Sequence, residues 1–170
     1  MKPYVFLDTE TTGLTEPRLV ELAYKVQGGE PVVLRCKPPK PIEIGASMVS
    51  HITDKMVKKL PAFVDREDYA QIKELLENSI VVAHHAAYDI GVLAAEGIVV
   101  QEWICTKEMA QTVYRKADML KLQYLRYYLG MELEAEAHTA GGDLLVLETL
   151  WDMMTLGFEG AELDKWKRTI

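Results

Sequence analysis

The sequence predicts an α/β fold, a five-stranded mixed sheet with helices on both faces. Two observations carry this. Residues 4–35 hold three strand-like runs in close succession, and from residue 79 onward short apolar runs alternate with segments of helical periodicity. Strands first, then strands alternating with helices, describe a mixed sheet packed between helical layers. At 170 residues the chain is read as one domain, long enough to bury about 70% of the surface its unfolded form exposes.

The elements follow in order. Tyr4-Val5-Phe6-Leu7 is an apolar run that reads as a buried strand. Residues 18–26 alternate apolar and polar side chains as a second strand would, Gly28-Gly29 is a hairpin turn, and residues 31–35 return as a third strand. The Pro-rich stretch 37–41 is a loop. Short helices are expected over 44–49 and from a Thr53-Asp54 cap to about residue 59. Tyr69, Ile72, Leu75 and Leu76 give 65–77 a helical stripe. Ser79-Ile80-Val81-Val82-Ala83 is taken as a central strand, followed by a helix that Gly97 stops. Residues 102–105 form the fifth strand, and helices are expected over 107–115, 121–129 and 139–156. The polar tail 158–170, with its one Trp, receives no assignment.

Composition narrows the classes of function. A 49% hydrophobic content excludes a disordered chain, and a formal net charge of −7 argues against a protein that coats nucleic acid non-specifically. It does not argue against a nucleic-acid enzyme whose carboxylates hold cations. Cys36 and Cys105 have neither metal-ligand spacing nor a pairing pattern and read as free thiols of a reducing compartment. No apolar run reaches membrane length and no basic leader is visible, so the expected location is cytoplasmic.

The chemistry begins where the first strand ends. Asp8 and Glu10 lie two residues apart, so on extended backbone both carboxylates leave the same face, with Cα atoms about 7 Å apart. Like charges at that spacing repel unless a cation lies between them. Asp89 follows a strand near the start of a helix. Asp143 heads the stripe Asp143, Leu147, Leu150, Met154, which is the buried face of the last long helix. A carboxylate aimed into a core must be paired, protonated or metal-bound, and no Arg or Lys lies on that stripe. His138 precedes Asp143 by five residues, which on one helix would turn them about 140° apart; the pair works with His138 in the loop before the helix. Four carboxylates and one His describe a hard-cation site for Mg²⁺ or Mn²⁺ rather than zinc. Two such ions stabilise both the attacking and leaving oxygens of a phosphoryl displacement. Imidazole, with an ordinary pKa near 6.5, suits a base for the attacking water.

Three stretches carry a resemblance. Asp8-Thr9-Glu10-Thr11-Thr12-Gly13-Leu14, then His84-His85-Ala86-Ala87-Tyr88-Asp89, then His138 with Asp143 resemble the three motifs of the DEDDh (DnaQ-like) 3′→5′ exonucleases of the ribonuclease H-like fold. Leu19-Val20-Glu21-Leu22-Ala23 resembles that family's second strand. The likeness implies that Asp8, Glu10 and Asp143 ligate metal directly, that Asp89 acts through water, and that His138 is the general base. It implies that Thr9, Thr11, Gly13 and Leu14 meet the terminal nucleotide, and that His84, His85 and Tyr88 line its pocket. The chain departs from the pattern at Ser50, where relatives carry His or Asn, with His51 one place later as the candidate sugar contact. His85 stands where Asn is usual, a second departure.

The expected activity is release of nucleoside 5′-monophosphates from the 3′ end of DNA, single-stranded or frayed. An exoribonuclease and a polymerase-associated proofreading enzyme are the alternatives within the family, and a homodimer is a further partner state. A phosphatase using Asp8 as nucleophile would need a second Asp where Glu10 stands and would leave His138 and Asp143 idle. A binding module that lost activity would have no reason to keep all four acids and the His.

Overall fold

Alternation along the first strand decides how the sheet is covered. A computed structural model describes residues 2–158 and 160–170. In β1 (Tyr4–Thr11), Val5 and Leu7 point to one face and Phe6 to the other. Among the described residues the sheet has six strands in the order β3-β2-β1-β4-β5-β6, built from β1, β2 (Leu19–Val26), β3 (Val32–Arg35), β4 (Ile80–Ala83), β5 (Glu102–Cys105) and β6 (Lys167–Thr169). β2 and β3 join β1 as antiparallel neighbours, β4 and β5 run parallel to β1, and β6 returns antiparallel to β5.

Helices cover both faces, as expected. Val5, Leu7 and Val81 pack with Ile72 and Leu76 of α3 (Tyr69–Glu77) and with Val92 and Leu93 of α4 (Ala86–Ala95). Phe6, Val82 and Ile104 pack on the opposite face with α5 (Thr106–Val113), α6 (Leu122–Tyr128) and α7 (Ala140–Thr155). Trp151 of α7 meets Phe6 edge-on, with ring centroids 5.8 Å apart. Two short helices, α1 (Ile44–Ser50) and α2 (Asp54–Val57), follow the loop after β3.

Four expectations need correction. The first strand does not end at Leu7; it runs through both acids to Thr11, with a bulge between Glu10 and Thr11. The sheet has a sixth strand, drawn from the tail that received no assignment. Its Lys167 and Arg168 pair with Glu102 and Glu108, and Trp166 packs on the second core. Such a short charged strand suits a sheet edge, where charge discourages further pairing. The helix expected over 65–77 is a 3₁₀ turn (Phe63–Asp65) followed by α3. The Thr53 side chain does not cap α2; instead Asp54 accepts the Ile42 amide at 3.1 Å. A further short helix, α8 (Gly160–Leu163), lies in the tail.

Candidate active site

Asp8 and Glu10 leave β1 on the Phe6 face, the side α7 covers. Asp143 lies in the first turn of α7 and Asp89 in the first turn of α4, where the positive end of a helix favours a carboxylate. Ligand oxygens of Asp8, Glu10 and Asp143 all lie within 4.8 Å of one another. Asp89 stands beside this trio; its carboxylate accepts the Thr9 hydroxyl at 2.7 Å. Among the described residues, none of the four acids forms an ion pair with Lys or Arg.

Buried acids so close together, with no cation between them, favour their protonated forms. Burial, then the charges of Asp89, Asp143, Glu10 and Glu21, push the Asp8 carboxyl well above the usual range. Burial and the Asp143, Glu21 and Asp89 charges raise Glu10 to about 8. Burial raises Asp89 to about 7 against the opposing Thr9 hydrogen bond. Asp143 is also raised by burial, opposed by a hydrogen bond from Gln123 and by the nearby His138 and Arg126. A divalent cation reverses this balance, because it favours the ionised form of every acid it touches. An all-oxygen donor set of this kind fits a hard cation.

His138 sits in the turn before α7, exposed, with a left-handed backbone at φ 60°. That is the arrangement the five-residue spacing required: the His in the loop, Asp143 on the helix. Thr139 caps α7 by accepting the Gly142 amide at 3.1 Å. Glu21, buried on β2 directly across from Glu10, accepts the first amide of α7, that of Ala140, at 3.1 Å. Its other oxygen takes the Arg35 guanidinium from the facing position of β3. The sheet therefore grips the start of α7 through Glu21, and Asp143 with it.

A family model described as an exonuclease, RNase_T, matches residues 5–149. The chain belongs to this exonuclease family. It is accordingly a nuclease, and the matched span holds all four acids and His138. The epsilon subunit of DNA polymerase III from Treponema pallidum (strain Nichols) is 28% identical over 165 residues, covering 89% of this chain and 75% of that protein. The epsilon subunit from Buchnera aphidicola is 32% identical over 107 residues, covering 56% of this chain. The exonuclease chain thus spans only 44% of the Buchnera protein in that match. A solved structure of exonuclease X in complex with 5′-overhanging duplex DNA superimposes with a TM-score of 0.76 at 24% identity, covering 95% of this chain and 98% of that one. That likeness establishes the fold, which is ribonuclease H-like. Trp103-Ile104-Cys105-Thr106 also resembles the matching stretch of exonuclease X, and the polymerase III proofreading subunit is a further similar protein.

Other expected site residues divide into two groups. Thr9, Glu10, Thr11, Gly13, Leu14 and Tyr88 line one cavity of about 600 Å³, together with Glu43 and the apolar side of α1. The Thr11 and Tyr88 hydroxyls lie 2.7 Å apart, and both reach the Gly13 carbonyl at 3.1 Å. Gly13 is favoured here by its backbone, since its φ of 151° is a conformation that L side chains rarely adopt. Leu14 stands 85% exposed at the rim.

His84, His85 and His51 do not join that cavity. The His84 ring lies between the Thr106 hydroxyl (3.0 Å) and the Leu120 carbonyl (2.7 Å), and burial lowers its pKa to about 4. Both nitrogens are engaged, tying the end of β4 to the start of α5 and to the loop before α6. His85 takes a left-handed conformation as the residue before α4 and lines a separate cavity with Trp103, Lys107 and Gln111. His51 ends α1 in a left-handed turn, exposed, while Ser50 turns inward to donate to the Ala46 carbonyl at 3.0 Å. From the same helix it is Val49, not His51, that lines the cavity beside Thr11 and Tyr88.

Sequence reasoning did not find Glu21 and Gln123. Among the described residues no Arg or Lys forms an ion pair with Asp143, as the stripe led us to expect; its side-chain partner is the Gln123 amide, which donates to it from α6. A signal existed for Glu21, a lone acid inside the apolar run Leu19-Val20-Glu21-Leu22-Ala23. Nothing in the spacing marks Gln123.

Proposed function

We propose that this chain is a 3′→5′ exonuclease that removes nucleoside 5′-monophosphates from DNA, with two divalent ions, Mg²⁺ or Mn²⁺, as cofactor. The convergence of Asp8, Glu10 and Asp143 within 4.8 Å, with Asp89 beside them and His138 on the adjoining loop, carries this reading. Asp8, Glu10 and Asp143 would hold the ions, with Asp89 beside them. When bound, such ions stabilise charge on the attacking and leaving oxygens of the phosphodiester.

The protein's own groups do the rest. The Thr11–Tyr88–Gly13 triangle and the α1 side form a slot for the terminal nucleoside, and Leu14 wedges against its base. His138 takes a proton from the water that attacks phosphorus. The P–O3′ bond breaks, leaving a 3′-hydroxyl on the shortened strand and a 5′-monophosphate in the slot. DNA is favoured as substrate by the similarity to subunits of a DNA polymerase, and attachment to a polymerase is the second reading on the same grounds. No helix among the described residues is long and apolar enough to cross a membrane. The slot takes one terminal nucleotide, so single-stranded or frayed ends are the preferred form.

A 5′-labelled single-stranded DNA incubated with the protein and Mg²⁺ should give a ladder shortening one nucleotide at a time from the 3′ end. Immediate release of labelled mononucleotide, or turnover only of a phosphomonoester, would contradict the assignment. The same assay on frayed duplex and on short RNA orders the substrates.

A further inference from the structure

Helix α6 reaches Asp143 from outside the three motifs. Gln123 donates its side-chain amide to Asp143 Oδ1, while the opposite end of that amide, Oε1, faces Arg126 Nη1 at 3.5 Å. A guanidinium carries only donors, so it turns the amide oxygen toward itself and the NH₂ toward the carboxylate. Arg126 is itself buried, only 9% exposed. Its Nη1 donates to the Ala135 carbonyl at 2.9 Å and its Nη2 to the Leu133 carbonyl. Those carbonyls belong to the irregular segment that leads into the His138 turn. The same segment is closed against α7: the Thr139 hydroxyl donates to the Glu136 carbonyl at 2.9 Å, and a Cβ at Gly142 would run into that carbonyl.

We propose that Gln123 and Arg126 form a positioning pair. Gln123 fixes the Asp143 carboxylate in the orientation that brings it within reach of Asp8 and Glu10, and Arg126 both orients that amide and clamps the loop presenting His138. Neither residue touches the substrate. One small helix thereby sets the relative placement of a metal ligand and the base, two groups that the chain carries on separate elements. The inference rests on the cation-site reading above.

Its test is a Mn²⁺ titration of the metal-free protein, followed by electron paramagnetic resonance, for wild type and Gln123→Met. Methionine keeps the length of the side chain and removes the amide. Mn²⁺ affinity should fall about 10–100-fold, the usual worth of a group that orients a ligand. The metal-free melting temperature should move by no more than about 4 °C. Unchanged Mn²⁺ affinity overturns the proposal, as does an affinity loss matched by a collapse of metal-free stability in both Gln123→Met and Gln123→Ala. Arg126→Lys keeps the charge but loses the planar fork that meets both carbonyls and the Gln123 amide oxygen at once, so kcat at saturating Mn²⁺ should fall about tenfold or more with KM unchanged. A normal kcat overturns the loop half of the proposal. If wild type binds no Mn²⁺, the cation-site reading itself fails; if wild type and Gln123→Met bind it equally, only the positioning role fails.

Discussion

Asp143→Asn is expected to abolish removal of 3′-terminal nucleotides while leaving the chain folded. The carboxylate is one of three whose oxygens converge within 4.8 Å, and an amide is a poor ligand for a hard cation. Packing should survive, because asparagine keeps the shape and an oxygen for Gln123 to reach. The metal-free variant should also lose less stability at alkaline pH than wild type. An acid whose folded pKa is raised holds its proton more tightly in the folded state. The stability this represents is complete below the unfolded pKa near 4 and is lost as pH rises through the folded value. For Glu10 and Asp89 those values are about 8 and about 7, and the Asp143 charge helps to raise Asp8 and Glu10. Removing it lowers them. Melting curves without metal at pH 5 and pH 8 should therefore show a smaller drop for Asp143→Asn. Near-normal turnover by the folded variant would contradict the metal assignment.

His138→Ala should reduce the rate by about 10²–10⁴-fold at saturating Mg²⁺, the usual contribution of a positioned base. It should also reshape the pH–rate profile, because the group that accepts the proton of the attacking water is gone. The fold should be little affected: the ring is exposed on a turn, and α7 keeps its Thr139 cap and its Glu21 anchor. An unchanged pH profile would mean that a different group accepts the proton.

These residues were legible in the sequence because each carries a local contradiction. Asp8 and Glu10 extend an apolar strand run, and Asp143 heads an apolar helix stripe; a charge in such a place demands an explanation that the spacing of His138 helps to supply. The sheet was readable for the same reason, since period-two and helical patterns record which side faces a core. What escaped has no such pattern. β6 is Lys-Arg-Thr, three polar residues whose strand character comes only from the free edge of β5. Gln123 and Arg126 lie on an ordinary-looking helix, and their role exists only once α6 and α7 are packed together. His84 looked like a pocket residue by position, yet the loop before α6 supplies a carbonyl that engages it. His51 was placed beside the site by resemblance, and the left-handed end of α1 leaves it exposed outside the cavity.

Anomalous diffraction from crystals soaked in Mn²⁺ tests the central claim most directly. Two peaks should lie within ligand distance of the Asp8, Glu10 and Asp143 carboxylates, with Asp89 at their edge, and both should vanish in Asp143→Asn. Peaks elsewhere on the molecule with none among these carboxylates, at Mn²⁺ concentrations that support cleavage, would contradict it.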